Sequence, residues 1–371
     1  MKQPTPDQLA LAQALRRDLH RHPELSGQEA WTKAHLMDFL RRHTALELAD
    51  MGSWFFARCP GRGPGSIAFR ADFDALPMGE QTSLPYRSQC PGAAHACGHD
   101  GHSAALALLA LTLVPGMPAR TVYLIFQHGE ETGMGGKGCA AFLQKAGVDE
   151  VYAFHNMSGY PKGAVCIREG TMNCASQGMI LRFTGVPAHA STPELGRNPA
   201  QAVARLVTAI PGLAGQEGRR GLILATVVQI DVGAPAFGMA AHRGRLLLTL
   251  RADFQEELDA LSAALEAMAQ QEAARDGLAL EISYADVFPA NVNHPGPVRR
   301  VREAAGVLGL PVVEMPAPMR ASEDFGWYLR ACPGAMFLLG NGEGHPPIHA
   351  PGYDFPDALL EVACGMFQAL I

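Results

Sequence analysis

The sequence predicts an α/β protein: a mostly parallel sheet flanked by helices, with a smaller α+β domain inserted into it. Three observations lead there. The 371 residues exceed what one hydrophobic core holds, about 250–300 residues, so two domains are expected. Apolar strands alternate with helical stretches through the first part of the chain, which implies parallel strands joined by helical crossovers. Between 177 and 289 that rhythm gives way to long strands and two long helices, and it then resumes.

The elements follow in order. Residues 7–45 read as helix, with Leu9, Leu11, Ala12, Leu15 and Leu19 as one apolar stripe and Trp31, Leu36, Met37 and Leu40 as another. His22-Pro23 breaks the two apart, because proline cannot continue a helix. Residues 66–70 (SIAFR) form a strand closed by Asp72, Asp74 and Pro77. A loop rich in Gly, Pro and Cys runs from Cys90 to Gly101, and the helix after it, 102–114, takes Asp100 or Ser103 as its cap. Residues 121–126 (TVYLIF) are a buried strand ending at Gln127-His128-Gly129-Glu130-Glu131, followed by a helix over 139–146. A short strand, 151–154, ends at His155. The inserted segment shows strands at 179–184, 222–230 and 245–251 and helices at 199–210 and 256–276. A helix at 298–308, a strand at 335–339 and a final helix from Ala358 complete the first domain, which comprises 1–176 and 290–371.

Composition excludes several classes. With 48% hydrophobic and 18% charged residues, disorder over most of the chain is not expected. Thirty basic against 36 acidic residues leave no basic surface for nucleic acid. The longest apolar run, 104–114, is shorter than the roughly 20 residues a spanning helix needs, and the N-terminus lacks the apolar core of a signal peptide. A cytoplasmic protein without membrane contact is expected. Its 8 cysteines read mainly as small buried hydrophobes, since a chain this long needs no disulfide scaffold.

In open parallel sheets ligands gather beyond the carboxyl ends of the strands, where Asp72, Asp74, Glu130, Glu131 and His155 fall. Cys97-Gly98-His99 adds a thiol and an imidazole two residues apart, which an extended segment would project to one side; both suit a borderline metal. Glu130-Glu131 is a costly juxtaposition unless a positive charge sits between the two or one stays protonated, although a solvated loop also accommodates such a pair. His349, in Pro346-Pro347-Ile348-His349, is either a ligand on a rigid loop or part of a surface turn. Residues 133–138 (GMGGKG) match the G-x-G-x-x-G spacing of dinucleotide sites, but His128–Thr132 separate them from the strand and two glutamates would face the pyrophosphate. Nucleotide binding is not expected.

These segments together resemble the metal-dependent amidohydrolases of the aminoacylase and carboxypeptidase G superfamily, in the branch that includes hippurate hydrolase, N-acetyl-diaminopimelate deacetylase and the plant auxin-conjugate hydrolases. The resemblance rests on 18–25 (DLHRHPEL), 69–77 (FRADFDALP), 95–102 (HACGHDGH), 126–131 (FQHGEE), 185–190 (GVPAHA), 322–325 (SEDF), and His349 with 353–355 (YDF), in this order along almost the whole chain. It implies two divalent ions, manganese or zinc, held by Cys97, His99, Glu131, His155 and His349, with Cys97 bridging as a thiolate. Glu130 matches the general base that takes a proton from the attacking water and passes it to the leaving amine. Asp74 matches a residue that orients the site. The segment 177–289 resembles a lid and dimerisation domain. His189 matches a histidine supplied to the partner's site, where it contacts substrate and polarises the scissile carbonyl. Asn293 matches a position near substrate, though asparagine is also an ordinary turn residue. Two departures stand out. His128-Gly129 replaces the usual Pro-Ala before the glutamates, leaving His128 a supporting contact or an exposed residue, and Glu194 replaces a lid histidine.

The implied activity is metal-dependent hydrolysis of an N-acyl amino acid or related small amide to carboxylic acid and amine, by a cytoplasmic homodimer joined through the inserted domain. A dipeptidase using the same binuclear site and a non-catalytic metal-containing binding protein are the alternatives. A redox role for Cys97 is not expected, as no second cysteine stands at Cys-x-x-Cys spacing.

Overall fold

The computed structural model describes residues 3–215 and 217–371, which divide into two compact units. The first takes the chain up to Met172 together with Asn291–Pro318 and Glu323–Ile371; the second is Asn173–Ala290 with Met319–Ser322.

The first unit begins with α1 (Pro6–Arg21), closed at its start by a reciprocal capping box between Thr5 and Gln8 and by Pro6 in the first turn. Ala12, Leu15 and Leu19 recur at helical spacing and are buried. After the proline break come α2 (Ala30–His43), β1 (Glu47–Asp50), β2 (Phe55–Cys59) and β3 (Ser66–Asp72), every residue of which is buried. The next elements are α3 (His99–Thr112), β4 (Thr121–Gln127), α4 (Gly136–Ala146), β5 (Glu150–Ser158), β6 (Val165–Ile167) and β7 (Gly170–Asn173). The helix α3 is buried from His99 to Ala110, and from Ala104 to Ala110 it is apolar all round rather than along one stripe.

The second unit contributes β8 (Ala175–Thr184), α5 (Ala200–Leu213), β9 (Ile223–Val232), β10 (Arg243–Ala252), α6 (Gln255–Asp276) and β11 (Ala279–Phe288). Its strands form an antiparallel sheet in the order β11-β8-β10-β9. Alternation along β10 buries Leu246, Leu248 and Leu250 in one cluster with Leu258, Leu261 and Leu265 of α6, and turns Arg243, Arg245 and Leu247 to the other face. The strand β11 has no counterpart among the elements expected from sequence.

The first unit resumes with β12 (Asn291–Asn293), α7 (Pro295–Val307), β13 (Val312–Glu314), α8 (Gly326–Ala331), β14 (Gly334–Gly342) and α9 (Leu359–Leu370). Its main sheet runs β1-β2-β4-β3-β5-β14-β6-β13. The centre, β4-β3-β5-β14, is parallel, and antiparallel pairing enters at β1-β2-β4 and β14-β6. This is the mostly parallel, helix-flanked sheet that the alternation predicts. No described helix is long and apolar enough to cross a membrane.

Three local expectations are corrected. Neither Asp100 nor Ser103 caps α3: its first residue is His99, preceded by Gly98 in a left-handed conformation, φ 97°. Asp100 is instead spent on Arg16 and His20, and the Ser103 hydroxyl donates to the Asp72 carbonyl. Cys97 and His99 therefore do not lie on one extended segment; the backbone turns between them, and a Cβ at Gly98 would sit 2.3 Å from Asn156 Oδ1. His155 lies within β5 rather than at its end, because the strand runs on to Ser158.

Candidate metal centre

Four loops and strand ends of the first unit converge on Cys97. Its Sγ lies 3.3 Å from His155 Nε2 and 3.3 Å from His349 Nε2. Glu131 Oε1 lies 3.8 Å from His99 Nε2 and 3.7 Å from His349 Nε2. Atoms bound to one ion at 2.0–2.3 Å in a near-tetrahedral shell stand roughly 3.3–3.7 Å apart, which is the spacing of Cys97 from His155 and His349 and of Glu131 from His349. The thiol belongs to two groups of donors, Cys97 with His99 and His155, and Cys97 with Glu131 and His349; His99 also comes within reach of Glu130 with Glu131 and of Asp72 with His102. His99 Nε2 and Glu131 Oε1 are buried without any hydrogen-bond partner, as atoms reserved for a cation would be.

The histidine tautomers agree with ligation. His99 Nδ1 lies 3.0 Å from the Asp74 carbonyl, which can only accept, so Nδ1 carries a proton and Nε2 is the nitrogen left for an ion. His155 Nδ1 donates to the Asn156 carbonyl at 2.7 Å in the same way, leaving Nε2 toward Cys97. His349 adopts φ 63°, rare for a residue with a side chain, and its N–H donates to the Ala96 carbonyl at 2.7 Å. That bond ties the loop after β14 to the residue before Cys97.

The charges are those of a site built around positive ions. Burial, then Glu131, Glu130 and Asp72, push the Cys97 thiol well above its ordinary value. Burial and the charges of Glu323, Glu131 and Asp324 raise Glu130 far above the carboxylate range. Burial is also the first cause for Glu131, raised to about 7 against the pull of His99. Burial alone would make His99 less basic, but Asp72, Asp74 and Glu131 outweigh it and hold the imidazole up to about 10. Acids this close are driven toward their neutral forms unless a cation enters, and a pair of divalent ions supplies that charge.

A buried polar layer supports these residues. Asp74 accepts from Ser26 Oγ at 2.7 Å and from the Glu131 N–H at 3.0 Å, and its other oxygen is 3.2 Å from His99 Nδ1. One carboxylate thus fixes two candidate ligands. Below it, Arg70 on β3 bonds Asp72 at 2.6 Å, Asp324 at 2.8 Å and Glu323 at 3.1 Å. The Asp324 N–H donates to Glu130 Oε1 at 3.3 Å. Glu130, Glu323 and Asp324 also offer oxygens close enough for an ion, but the Arg70 guanidinium already occupies the position between Glu323 and Asp324. His102 bridges Asp72 and Asn156 at 2.6 Å each.

The glycines that mimic a nucleotide motif serve this same place. A Cβ at Gly135 would lie 1.8 Å from the His128 carbonyl, and one at Gly136 would lie 2.6 Å from the Asp324 carbonyl. They allow the chain to fold tightly after Glu131.

The structure thus brings together Cys97, His99, Glu131, His155, His349, Glu130 and Asp74. His128 stands half-buried with a buried Nδ1 that has no partner. Asn293 is not in the cluster: its side chain donates to the Arg168 and Met336 carbonyls and accepts from the Met336 N–H. His189 and Glu194 belong to the second unit, where both are exposed; His189 Nδ1 lies 2.7 Å from Ser191 Oγ, and Glu194 sits in the short 3-10 turn Pro193–Leu195. Sequence reasoning left Arg70, Glu29, His102 and the acidic pair Glu323-Asp324 without roles. Arg70, His102 and the acidic pair lie inside segments that carry the resemblance, and Glu29 bears no such mark.

Comparison with known proteins places this geometry. The family model described as "Peptidase family M20/M25/M40" matches residues 68–371. N-acetyl-L-cysteine deacetylase of Bacillus subtilis (strain 168) is 31% identical over 367 residues, covering 96% of this chain and 86% of that protein. A protein of Rhodococcus jostii (strain RHA1), whose name carries glutamate–cysteine ligase 2-3, is 33% identical over 360 residues; the match takes in 93% of this chain but only 44% of that longer protein. Among solved structures, the Bacillus subtilis YXEP protein, described as a dinuclear metal binding peptidase from the M20 family, superposes with a TM-score of 0.79 at 26% identity, over 99% of this chain and 98% of that one.

Proposed function

The chain belongs to peptidase family M20/M25/M40, as a hydrolytic enzyme with a dinuclear metal site, and on that premise we propose that it cleaves an N-acyl amino acid or related small amide to carboxylic acid and amine. The observation that carries this reading is one thiol, Cys97, shared by two groups of candidate ligands, with the Glu130 carboxylate against the same cluster. Cys97, His99 and His155 would hold one ion and Cys97, Glu131 and His349 the other, manganese or zinc. When bound, the ions supply Lewis-acid charge that acidifies water and polarises a carbonyl oxygen.

The chain's own residues supply the rest. Glu130 takes the proton of the attacking water on a carboxylate oxygen and returns it to the nitrogen of the scissile bond as that bond breaks. Asp74 holds His99 and the backbone of Glu131 in register. The partner's His189 donates a hydrogen bond to the developing oxyanion, and its exposure in the second unit supports that reach. Asn293 enters as a residue that ties the strand after the second unit to β14, and a direct contact with substrate would require its amide to leave Met336.

The lid and dimerisation role of the second unit is supported by β9, an edge strand with Val228 and Ile230 exposed. Eight free cysteines support a reducing, cytoplasmic setting. The test is an amide panel on protein loaded with manganese or zinc: N-acetyl-L-cysteine, other acetyl- and benzoyl-amino acids, and unacylated dipeptides. Release of free amine from the acylated substrates is expected; turnover of the dipeptides alone would replace this reading with a dipeptidase.

A further inference from the structure

The turn from His128 to Gly136 carries both Glu130 and Glu131, yet it has little to hold itself still. Gly129, Gly133, Gly135 and Gly136 give it wide backbone freedom, and freezing glycine costs more entropy than freezing any other residue. Its internal bonds are Gly133 N–H to the Glu130 carbonyl at 2.8 Å, Met134 N–H to the Gly129 carbonyl at 3.0 Å and a longer one from Gly135 N–H to the same Gly129 carbonyl at 3.4 Å. What fixes it from outside is a set of three carboxylates, each accepting from a different backbone N–H. Glu29 Oε1 accepts from Gly129 at 2.8 Å, Asp74 from Glu131 at 3.0 Å, and Asp324 from Gly136 at 2.8 Å.

Glu29 is the unexpected member. It precedes α2, one hundred residues away along the chain, and is only 6% exposed. Its bond falls on the residue immediately before Glu130, where Gly129 takes φ 57° and packs against Met134. Burial and the charge of Asp74 both work against a carboxylate there, so its presence needs a gain that outweighs them. A carboxylate makes a stronger hydrogen bond to an N–H than a neutral oxygen does, and Gly129 has no side chain through which to be held.

We propose that Glu29 is a positioning residue for Glu130, pinning the glycine-rich turn through the Gly129 amide so that the carboxylate of Glu130 keeps its place. This rests on Glu130 being the base of the reaction proposed above. The division of labour is specific: Asp74 grips His99 and Glu131, so it positions ligands, whereas Glu29 touches neither.

The experiment compares metal-loaded full-length wild type with Glu29→Ala, Glu29→Asp and Glu29→Gln, by hydrogen exchange of peptides covering 128–136, by metal content, and by kcat and KM. For Glu29→Ala, we expect faster exchange confined to the turn while β4 is unchanged, full metal content, and a fall in kcat of about tenfold or more with KM within about threefold. Glu29→Asp, which withdraws the acceptor by one methylene but keeps the charge and folds without a lost cap, should behave like Glu29→Ala. Glu29→Gln, which keeps an acceptor in reach but loses the charge that strengthens the bond, should fall between wild type and Glu29→Ala in both exchange and kcat. Wild-type exchange at the turn in Glu29→Asp, or Glu29→Gln as impaired as Glu29→Asp, would overturn the proposal. If the wild type cleaves no amide, the proposed function fails on its own, and the exchange pattern still decides whether Glu29 pins the turn.

Discussion

Arg70→Met removes the guanidinium beneath the site and replaces it with a neutral side chain of similar length. Arg70 is 1% exposed, and the carboxylates it bonds, Asp72, Glu323 and Asp324, are 0%, 3% and 0% exposed at their side chains. Water cannot compensate acids at that depth. Removing one partner of a buried ionic cluster costs about 3–5 kcal/mol, because the remaining charges stay buried. For a unit of this size each kcal/mol shifts Tm by about 2–4 °C, so a fall of about 10 °C is expected. The chain has Trp31, Trp54 and Trp327 as its tryptophans, all in the first unit, so tryptophan fluorescence during urea denaturation follows the unit that contains Arg70. Function should fall with stability, since Asp324 would lose the guanidinium while still gripping the Gly136 N–H and Gln127. A loss below about 1 kcal/mol, the range of an exposed pair, would refute the view that this cluster is a buried charge network.

Further outcomes follow from the same geometry. Cys97→Ala removes a donor common to both ligand groups, and at about 3 kcal/mol per ligand each ion should bind on the order of a hundredfold more weakly; elemental analysis after dialysis showing two ions retained would remove Cys97 from the site. Stability should also depend on pH through His20. Burial pulls this imidazole down, but the charge and hydrogen bond of Asp100 and a bond to Glu80 outweigh it and hold it up to about 9. Because the folded value is raised, its contribution is complete below the unfolded value near 6.5 and is lost as pH climbs through 9, an effect on the order of 3 kcal/mol. In urea titrations the difference between wild type and His20→Gln should shrink by about that much from pH 6 to pH 9.5; a difference that stays constant would contradict the assignment.

What was legible in the sequence was whatever short range preserves. The parallel sheet could be read because its buried strands carry continuous apolar runs, Val122–Phe126 in β4 and the shorter Ile67–Phe69 in β3. The ligands could be read because Cys97 and His99, and Glu130 and Glu131, sit together in the chain. The supporting layer was not legible, since its partners are brought together only by folding: Arg70 meets Asp324 across 254 positions, and Glu29 meets Gly129 across 100. Asp100 was misread as a helix cap because capping is a local rule, while its actual partner Arg16 lies 84 positions away. The glycine run 133–138 shows the converse. Its spacing suggested a phosphate loop, but Gly135 and Gly136 are small because His128 and Asp324 backbones press against them. Strand β11 was missed because its alternation is weak, with exposed residues at Ala279, Glu281 and three successive positions from Tyr284.

The central claim is that Glu130 acts as the base beside a dinuclear centre organised by Cys97. The most direct measurement is the rate of amine release from N-acyl amino acids by protein carrying two ions per chain, for wild type and for Glu130→Gln. Wild-type turnover with full metal content in both proteins, and a loss in Glu130→Gln of about a hundredfold or more in kcat, is the predicted result. Equal rates in the two proteins, or no amide hydrolysis by the fully loaded wild type, would contradict it.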